Sequence, residues 1–181
     1  MSFLSNIKES VNTSLPEFEN LDEGIDYIVK NMELLSKDLS EEDFYLNKRW
    51  LEVRDDHNFK ESILHIFKEN GEYLRILNGD IDQGNWEQNV GGFIIKYANR
   101  HELYESVFLN DNFFVLKKHG NQNFNGSRKY FFLVKENFAG NKEWDELLES
   151  MYGVYKGNIN YLLAVAVIVL VIAVFIYFSI F

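Results

Sequence analysis

The sequence contains no cysteine and only one proline, and it has few basic residues. Without cysteine there can be neither a disulfide framework nor a thiolate metal site. The 18 lysine and arginine residues stand against 28 aspartate and glutamate residues, giving a net charge of −10. This acidity argues against a broad surface for a nucleic-acid duplex and against unaided docking on anionic lipid. The first residues also lack the basic region and the continuous apolar run of a secretory signal.

Motifs for catalysis and for metal binding are missing as well. The sequence has no glycine-rich phosphate loop and no His-Glu-x-x-His motif. Its four histidines, His57, His65, His101 and His119, fall in different segments without a metal-ligand spacing. No pair of a nucleophile and a base can be named from the sequence. We therefore expect a protein without enzymatic activity, metal or cofactor.

What the sequence does contain is a long apolar run at 161–181, without charge, glycine or proline. As a helix this run would span roughly 30 Å, about one bilayer core. We predict a single transmembrane anchor at 160–181, and a buried core helix is the alternative. Representative anchor residues are Tyr161, Leu163, Val169, Ala173 and Phe181.

The position of this run predicts a topology. The last charged residue is Lys156, so all of the net charge lies before the run. With no secretory signal and no residue after the run, we expect a tail-anchored, single-pass protein. Its first 160 residues would form a soluble part in the cytosol, at the inner membrane if the host is bacterial.

Two amphipathic helices are predicted in the N-terminal region, 1–40. The first covers 2–15 and ends before Pro16. In the second, Asn20 can cap the helix, and Glu23 three positions later resembles a capping box. The apolar stripe of the second helix consists of Leu21, Ile25, Ile28, Val29, Met32 and Leu35.

From Phe44 to about Glu136 the apolar period becomes alternating, with turn signals every eight to twelve residues. The predicted strands are 46–54, 62–69, 72–78, 81–88, 92–98, 102–108, 112–118 and 128–136. Their connections are too short for helical crossovers, so neighbouring strands should pair antiparallel. Asn70-Gly71 suits a type I′ hairpin turn with positive φ at both residues. The fold class is mainly β (α+β): an eight-stranded antiparallel meander or barrel at 44–137, with flanking helices.

Helical periodicity returns after Asn137. Asn141 can cap a helix whose apolar residues, Trp144 and Leu148 among them, share one side. Gly153 and Gly157 are expected to interrupt or end this helix just before the apolar run. We interpret 141–157 as a juxtamembrane helix.

The strand region resembles the lipocalin-like small antiparallel barrels. The resemblance rests on LNKRWLEV at 46–53, IFKENGEYLRI at 66–76, GNWE at 84–87 and the later YESVFLNDNFFVLKKHG and KYFFLVKEN. In that group a tryptophan on the first strand closes the barrel base, and Asn-Gly-x-Tyr is followed by Gly-x-Trp. This chain departs from secreted lipocalins because it lacks disulfides, a signal peptide and a Gly-x-Trp at Trp50, so transport of a secreted lipid is not implied.

A barrel of this size is filled by side chains or holds one small ligand. The 16 Phe, 10 Tyr and 3 Trp residues favour a mostly filled interior with a shallow pocket at one end. Trp50 and Trp86 are natural plugs for an end of the barrel. The candidate ligand-binding residues are Trp50, His65, Tyr73, Arg75, Trp86, Tyr97 and Tyr104.

Two of these candidates have competing interpretations. His65 alternates with Ile63 and Phe67, and we favour a hydrogen-bonded core histidine over a ligand contact. Arg75 offers a planar fork for an anionic ligand if its strand turns it inward. The alternative, which we favour, turns Arg75 outward.

The function hypotheses follow from the predicted barrel and anchor. The first is a non-enzymatic binding or sensing module, held at the lipid bilayer, for a protein or small ligand. The second is an oligomerising effector that disrupts the membrane when a ligand binds the β domain, as in a bacterial antiviral defence system. The partners expected are the bilayer, a second copy of the chain, and an unidentified protein or small molecule.

Overall fold

A computed structural model describes residues 15–32, 36–56, 61–89, 92–120 and 128–180. Side chains at 31, 32, 155, 158–164 and 173–180 are not described. The predicted helix at 2–15 therefore lies almost entirely outside the described residues. So do the side chains of Tyr161, Leu163, Ala173 and Phe181.

The described residues contain eight strands and three α-helices, numbered here in chain order. The strands are β1 (Trp50–Glu52), β2 (Ile63–Phe67), β3 (Glu72–Leu77), β4 (Asp80–Asn89), β5 (Gly92–Tyr97), β6 (Arg100–Leu109), β7 (Phe113–Lys118) and β8 (Tyr130–Lys135). The α-helices are α1 (Leu21–Met32), α2 (Glu136–Ala139) and α3 (Trp144–Ile180), and a short 3-10 helix covers Glu42–Phe44.

These strands form a closed antiparallel barrel in sequence order, which confirms the predicted mainly-β barrel. Closure depends on β1, whose Trp50 pairs with His65 of β2 and with Lys135 of β8. Because the barrel is closed, each strand from β1 to β8 forms hydrogen bonds with a neighbouring strand on both of its sides. The barrel agrees with the fold that the lipocalin-like resemblance implies.

The first strand is much shorter than the predicted 46–54. Asn47 has a φ of 55°, and its N–H donates to the Phe67 carbonyl at 2.7 Å. Leu46 makes only an isolated parallel bridge to Phe67. The chain thus crosses the end of the barrel before it enters the β1 ladder at Trp50.

The prediction of a type I′ turn at Asn70-Gly71 is wrong. Gly71 has a φ of 80°, but Asn70 is not in the left-handed region. Gly71 N–H donates to the Lys68 carbonyl, and Lys68 N–H donates to the Glu72 carbonyl, as in a type I turn with a glycine bulge. Turns with positive φ at both residues occur instead at Asn78-Gly79, where φ is 52° and 97°, and at Ala98-Asn99, where φ is 45° and 61°.

One half of the barrel interior is packed with aromatic rings. Tyr45 lies at its centre, with ring centroids 5.6 Å from Trp86, 5.7 Å from Phe93 and 5.5 Å from Phe114. Trp50 is fully buried and donates its indole N–H to the Tyr45 carbonyl at 3.0 Å. This aromatic plug closes one end of the barrel, as predicted for the two tryptophans.

The outer face of β7 and β8 is buried too. Phe113, Val115, Phe132 and Val134 alternate with inward side chains, yet none is more than 1% exposed. Helix α1 is fixed near the start of β8 by Asp22, which accepts the Lys129 and Tyr130 backbone N–H groups at 2.8 and 3.1 Å. Its apolar stripe is confirmed where it is described, since Leu21, Ile25 and Ile28 are at most 1% exposed.

The predicted cap of α1 is partly confirmed. The Glu23 N–H donates to Asn20 Oδ1 at 2.9 Å, as expected for a capping box. The Glu23 carboxylate, however, accepts the Glu19 N–H at 3.1 Å. Asp55, just beyond β1, accepts the Leu21 N–H at 2.9 Å and so completes the cap from the barrel.

Phe18–Leu148 forms one compact unit, and the rest of α3 belongs to a second. The expected break at Gly153 and Gly157 is wrong, because α3 continues to Ile180. Glycine keeps its N–H donor, so it weakens a helix by about 1 kcal/mol without ending it. The side chains of α3 at 158–164 and 173–180 are not described, and among the residues described in full no helix combines the length and apolarity needed to cross a membrane.

Candidate functional site: a charged cavity in the open half of the barrel

The half of the barrel opposite the aromatic plug holds a cavity of about 350 Å³. The interior is therefore partly filled, with a packed aromatic core and a cavity beside it. Its lining combines aromatic rings with charged side chains. The lining residues are Glu52, Arg54, His65, Tyr73, Arg75, Ile95, Tyr97, Arg100, Glu102, Tyr104, Lys118, Arg128, Tyr130 and Phe131.

The structure brings five of the seven candidate residues together in this cavity: His65, Tyr73, Arg75, Tyr97 and Tyr104. Trp50 and Trp86 do not line it, because both belong to the aromatic plug. The outward orientation favoured for Arg75 is wrong. Arg75 pairs in register with His65, so the two side chains share the inner face of the sheet.

A chain of hydrogen bonds crosses the floor of the cavity. Tyr73 Oη lies 2.5 Å from His65 Nδ1, and His65 Nε2 lies 3.1 Å from Glu52 Oε2. A carboxylate can only accept, so Nε2–H donates to Glu52 and Nδ1 accepts the Tyr73 hydroxyl. His65 is thus the hydrogen-bonded core histidine that the sequence favoured, and it also lines the cavity.

Burial and charge together set the protonation states in this chain. Burial lowers the pKa of His65, and hydrogen bonding and charge from Glu52 oppose the shift only in part. Burial acts to raise the pKa of Glu52, but the bonds and charges of His65 and Arg54 outweigh it and lower the pKa to about 2. Burial also raises the pKa of Tyr73, which keeps its hydroxyl a donor. At neutral pH this hydrogen-bonded series therefore consists of an ionised Glu52, a neutral His65 and a protonated Tyr73.

The cavity is lined by five basic side chains, although the chain as a whole is acidic. They are Arg54, Arg75, Arg100, Lys118 and Arg128. Arg54 Nε is 2.7 Å from Glu52, and Arg75 Nη1 is 2.9 Å from Asp82. Arg128 Nη2 is 3.2 Å from Asp55, and Lys118 Nζ is 3.9 Å from Glu102. Among the described residues no carboxylate pairs with Arg100, which lies at the exposed start of β6.

Sequence reasoning missed most of the charged lining. Arg54, Arg100, Glu102 and Lys118 lie at strand ends, where charged residues look like ordinary turn neighbours. A signal was present in the alternation itself. Extending the inward series from Trp50 gives Glu52 and Arg54, and extending it from Tyr104 towards the start of β6 gives Glu102 and Arg100.

The two carboxylates of the cavity lining both have partners within the lining. No group of three His, Asp or Glu side chains within the described ranges is placed to hold a metal ion. Glu52 accepts from His65 and Arg54, and Glu102 accepts from the Tyr104 hydroxyl. Arg54, Arg75 and Arg128 are paired with carboxylates as well, so Arg100 is the lining cation that has no carboxylate partner among the described residues.

Comparison of the chain with protein-family models, with curated proteins and with solved structures gives no match.

Proposed function

We propose that this protein is a non-enzymatic binding module whose barrel cavity takes up a small ligand and whose segment 161–181 tethers it to a membrane. The observation that carries the proposal is the division of the barrel interior. One half is sealed by the aromatic plug, and the other holds a polar cavity of about 350 Å³. That volume lies in the range of small-molecule sites, which is roughly 300–1,000 Å³.

The membrane tether is supported by the sequence of 161–181 and by the described part of α3. Val167, Ile168, Val169 and Leu170 are 57–65% exposed, and they follow one another around the helix. A helix that is apolar on every side is suited to a hydrocarbon environment. In this proposal the barrel unit lies in the cytosol and the tether confines it to the membrane plane.

A screen of small molecules with a cavity-filling variant tests the binding proposal. The full chain in mild detergent would be screened by thermal shift against anionic, neutral and cationic compounds. Ile95 is 1% exposed and lines the cavity. Ile95→Trp should place a ring in the cavity and abolish the stabilisation that hits give to the wild type. Circular dichroism checks that the variant keeps its β spectrum.

The matched control is Ile81→Trp, which adds the same ring on the outside of β4, where Ile81 is 59% exposed. This variant should keep the wild-type response to every hit. If hits stabilise Ile95→Trp and the wild type equally, the cavity is not the binding site. If Ile95→Trp does not fold, the smaller ring of Ile95→Phe replaces it.

The second candidate function is a membrane-disrupting effector, favoured by the same exposed apolar side chains of α3. Such side chains can associate between copies of the chain once ligand binding gathers them in the membrane plane. This function requires that expression of the full chain makes membranes leaky and that deletion of 161–181 restores them. Intact membranes with ligand bound to the barrel would instead leave the binding module as the function.

A further inference from the structure

The charge of the cavity restricts what can bind there. Its lining has five basic side chains against two carboxylates, Glu52 and Glu102. Even when Asp55 and Asp82, which pair with Arg128 and Arg75, are included, positive charge exceeds negative charge. The whole chain has a net charge of −10, so this is a local reversal of sign. Such a site concentrates anions and repels cations.

The basic side chains are also placed so that their charges act strongly. Arg54, Arg75, Lys118 and Arg128 are only 17–29% exposed, compared with 59% for Arg49 outside the cavity. Charges that are partly withdrawn from water are less screened by solvent and salt. A guanidinium presents five N–H donors in a planar fork that matches phosphate and carboxylate oxygens.

Aromatic rings form the remaining wall of the cavity. Tyr97 and Phe131 are half-buried, so part of each ring faces the cavity space. Behind them Tyr73 and Tyr104 are buried, with ring centroids 5.6 Å from Tyr97 and 5.5 Å from Phe131. The Arg75 guanidinium carbon lies 6.0 Å from the centre of the Tyr97 ring. A flat ligand ring can stack on surfaces of this kind.

We propose that the cavity binds a small organic phosphate that carries an aromatic ring, a compound of the mononucleotide class. The phosphate would meet Arg75 and Arg100, with Lys118 nearby, and the ring would lie against Tyr97 and Phe131. A phosphate monoester carries about −1.5 to −2 charges at neutral pH, which suits several cations better than a single carboxylate does. The volume of about 350 Å³ admits one such molecule and not a polymer. This inference rests on the proposed function, because it requires the cavity to be a ligand site.

Calorimetric titration of the full chain in mild detergent tests the inference. The probes are the four common 5′-mononucleotides and phenyl phosphate, compared with inorganic phosphate, benzoate and the matching nucleosides. At least one ring-bearing phosphate should bind more tightly than inorganic phosphate, benzoate and its own nucleoside. Its affinity should fall as salt is raised.

Matched variants assign that binding to named groups. Arg100→Gln should weaken the ring-bearing phosphate about tenfold or more, as expected for loss of a charge-assisted hydrogen bond. Arg49→Gln changes the net charge equally outside the cavity and should have no effect. Tyr97→Leu should weaken the ring-bearing phosphate but leave inorganic phosphate unchanged. Arg100 and Arg49 are exposed, so both glutamine variants should unfold at the wild-type temperature without ligand.

Three results would overturn the inference: equal binding of nucleosides or benzoate, binding of no ring-bearing phosphate, or equal effects of Arg100→Gln and Arg49→Gln. The proposed function survives if neutral or cationic compounds still bind and Ile95→Trp blocks them. It fails as well if no compound of any charge binds in a way that depends on the cavity.

Discussion

His65 lies where the two halves of the barrel meet. Its side chain is 2% exposed and is held between Tyr73 and Glu52. The backbone pairing Trp50↔His65 places it beside the aromatic plug, while its ring forms part of the cavity floor. Any pH dependence of this residue therefore acts on folding and on the shape of the cavity together.

We predict that the free energy of unfolding falls as pH drops below about 6.5. Burial lowers the pKa of folded His65 below its ordinary value of 6.5. In the window between the folded and unfolded pKa values, the unfolded chain binds more protons, so stability is complete above pH 6.5 and is lost below it. The slope is at most about 1.4 kcal/mol per pH unit. Urea denaturation of the full chain from pH 5 to 8 measures it.

A histidine variant separates this effect from other titrations. His65→Gln should remove most of the slope between pH 5 and 6.5, whatever it does to the stability at pH 8. Equal slopes in His65→Gln and the wild type would show that His65 is not the group responsible.

Truncation of Trp86 tests the packing of the aromatic plug. Its ring stacks on Phe93 at a centroid distance of 5.2 Å, and its indole N–H donates to the Lys68 carbonyl at 2.8 Å. We predict that Trp86→Ala lowers the free energy of unfolding by about 3–5 kcal/mol, measured by chemical denaturation. Trp86→Phe, which keeps a ring and loses the hydrogen bond, should cost less. A loss below about 1 kcal/mol for Trp86→Ala would contradict its place in the plug.

At the scale of elements, helix α1 is joined to the barrel by few but specific bonds. Asp22 accepts two backbone N–H groups at the start of β8, and Asp26 contacts Lys129 Nζ at 2.5 Å and the Tyr130 hydroxyl at 2.7 Å. These bonds set the position of α1 relative to the start of β8.

Asp22→Ala should lower the free energy of unfolding by about 1–3 kcal/mol, because two partly buried N–H groups lose their acceptor. Asp22→Asn keeps one acceptor oxygen and should cost less. Hydrogen exchange adds a local measurement, since the Lys129 and Tyr130 amides should exchange faster in Asp22→Ala. As a control, Lys30→Ala on the exposed side of α1 should change stability by less than about 0.5 kcal/mol. Unchanged exchange at Lys129 and Tyr130 would argue against this attachment.

The elements were more predictable than the turns and the site. Alternation identified every strand of the barrel, because a half-buried strand must place every second side chain inside. It misplaced the start of β1, since the turn at Asn47 depends on a bond to Phe67 from a different hairpin. Alternation also could not predict that Arg54, Arg100 and Lys118 line the same cavity, because they come together only when the barrel closes. Local patterns fix which side a residue faces, whereas closure and register decide its neighbours.

At the scale of the whole molecule, positive charge is concentrated where a ligand can reach it. The chain has a net charge of −10 but surrounds its cavity with five basic side chains. Acidity elsewhere favours solubility of the barrel unit and disfavours attraction to anionic lipid. In the proposed function, membrane attachment must therefore come from the apolar segment 161–181 and not from the barrel surface.

That attachment predicts a specific fractionation result. The full chain should stay with membranes after a carbonate wash, and a chain lacking 161–181 should appear in the supernatant, because roughly 20 apolar residues are needed for insertion. Val169→Arg places a charge near the middle of the segment at a cost of about 2.5–3.5 kcal/mol and should reduce insertion, whereas Val169→Ala should not. Release of the intact wild type by carbonate, or equal membrane fractions for the two Val169 variants, would refute the tether. Binding by the barrel cavity would then have to be explained for a protein free of the bilayer.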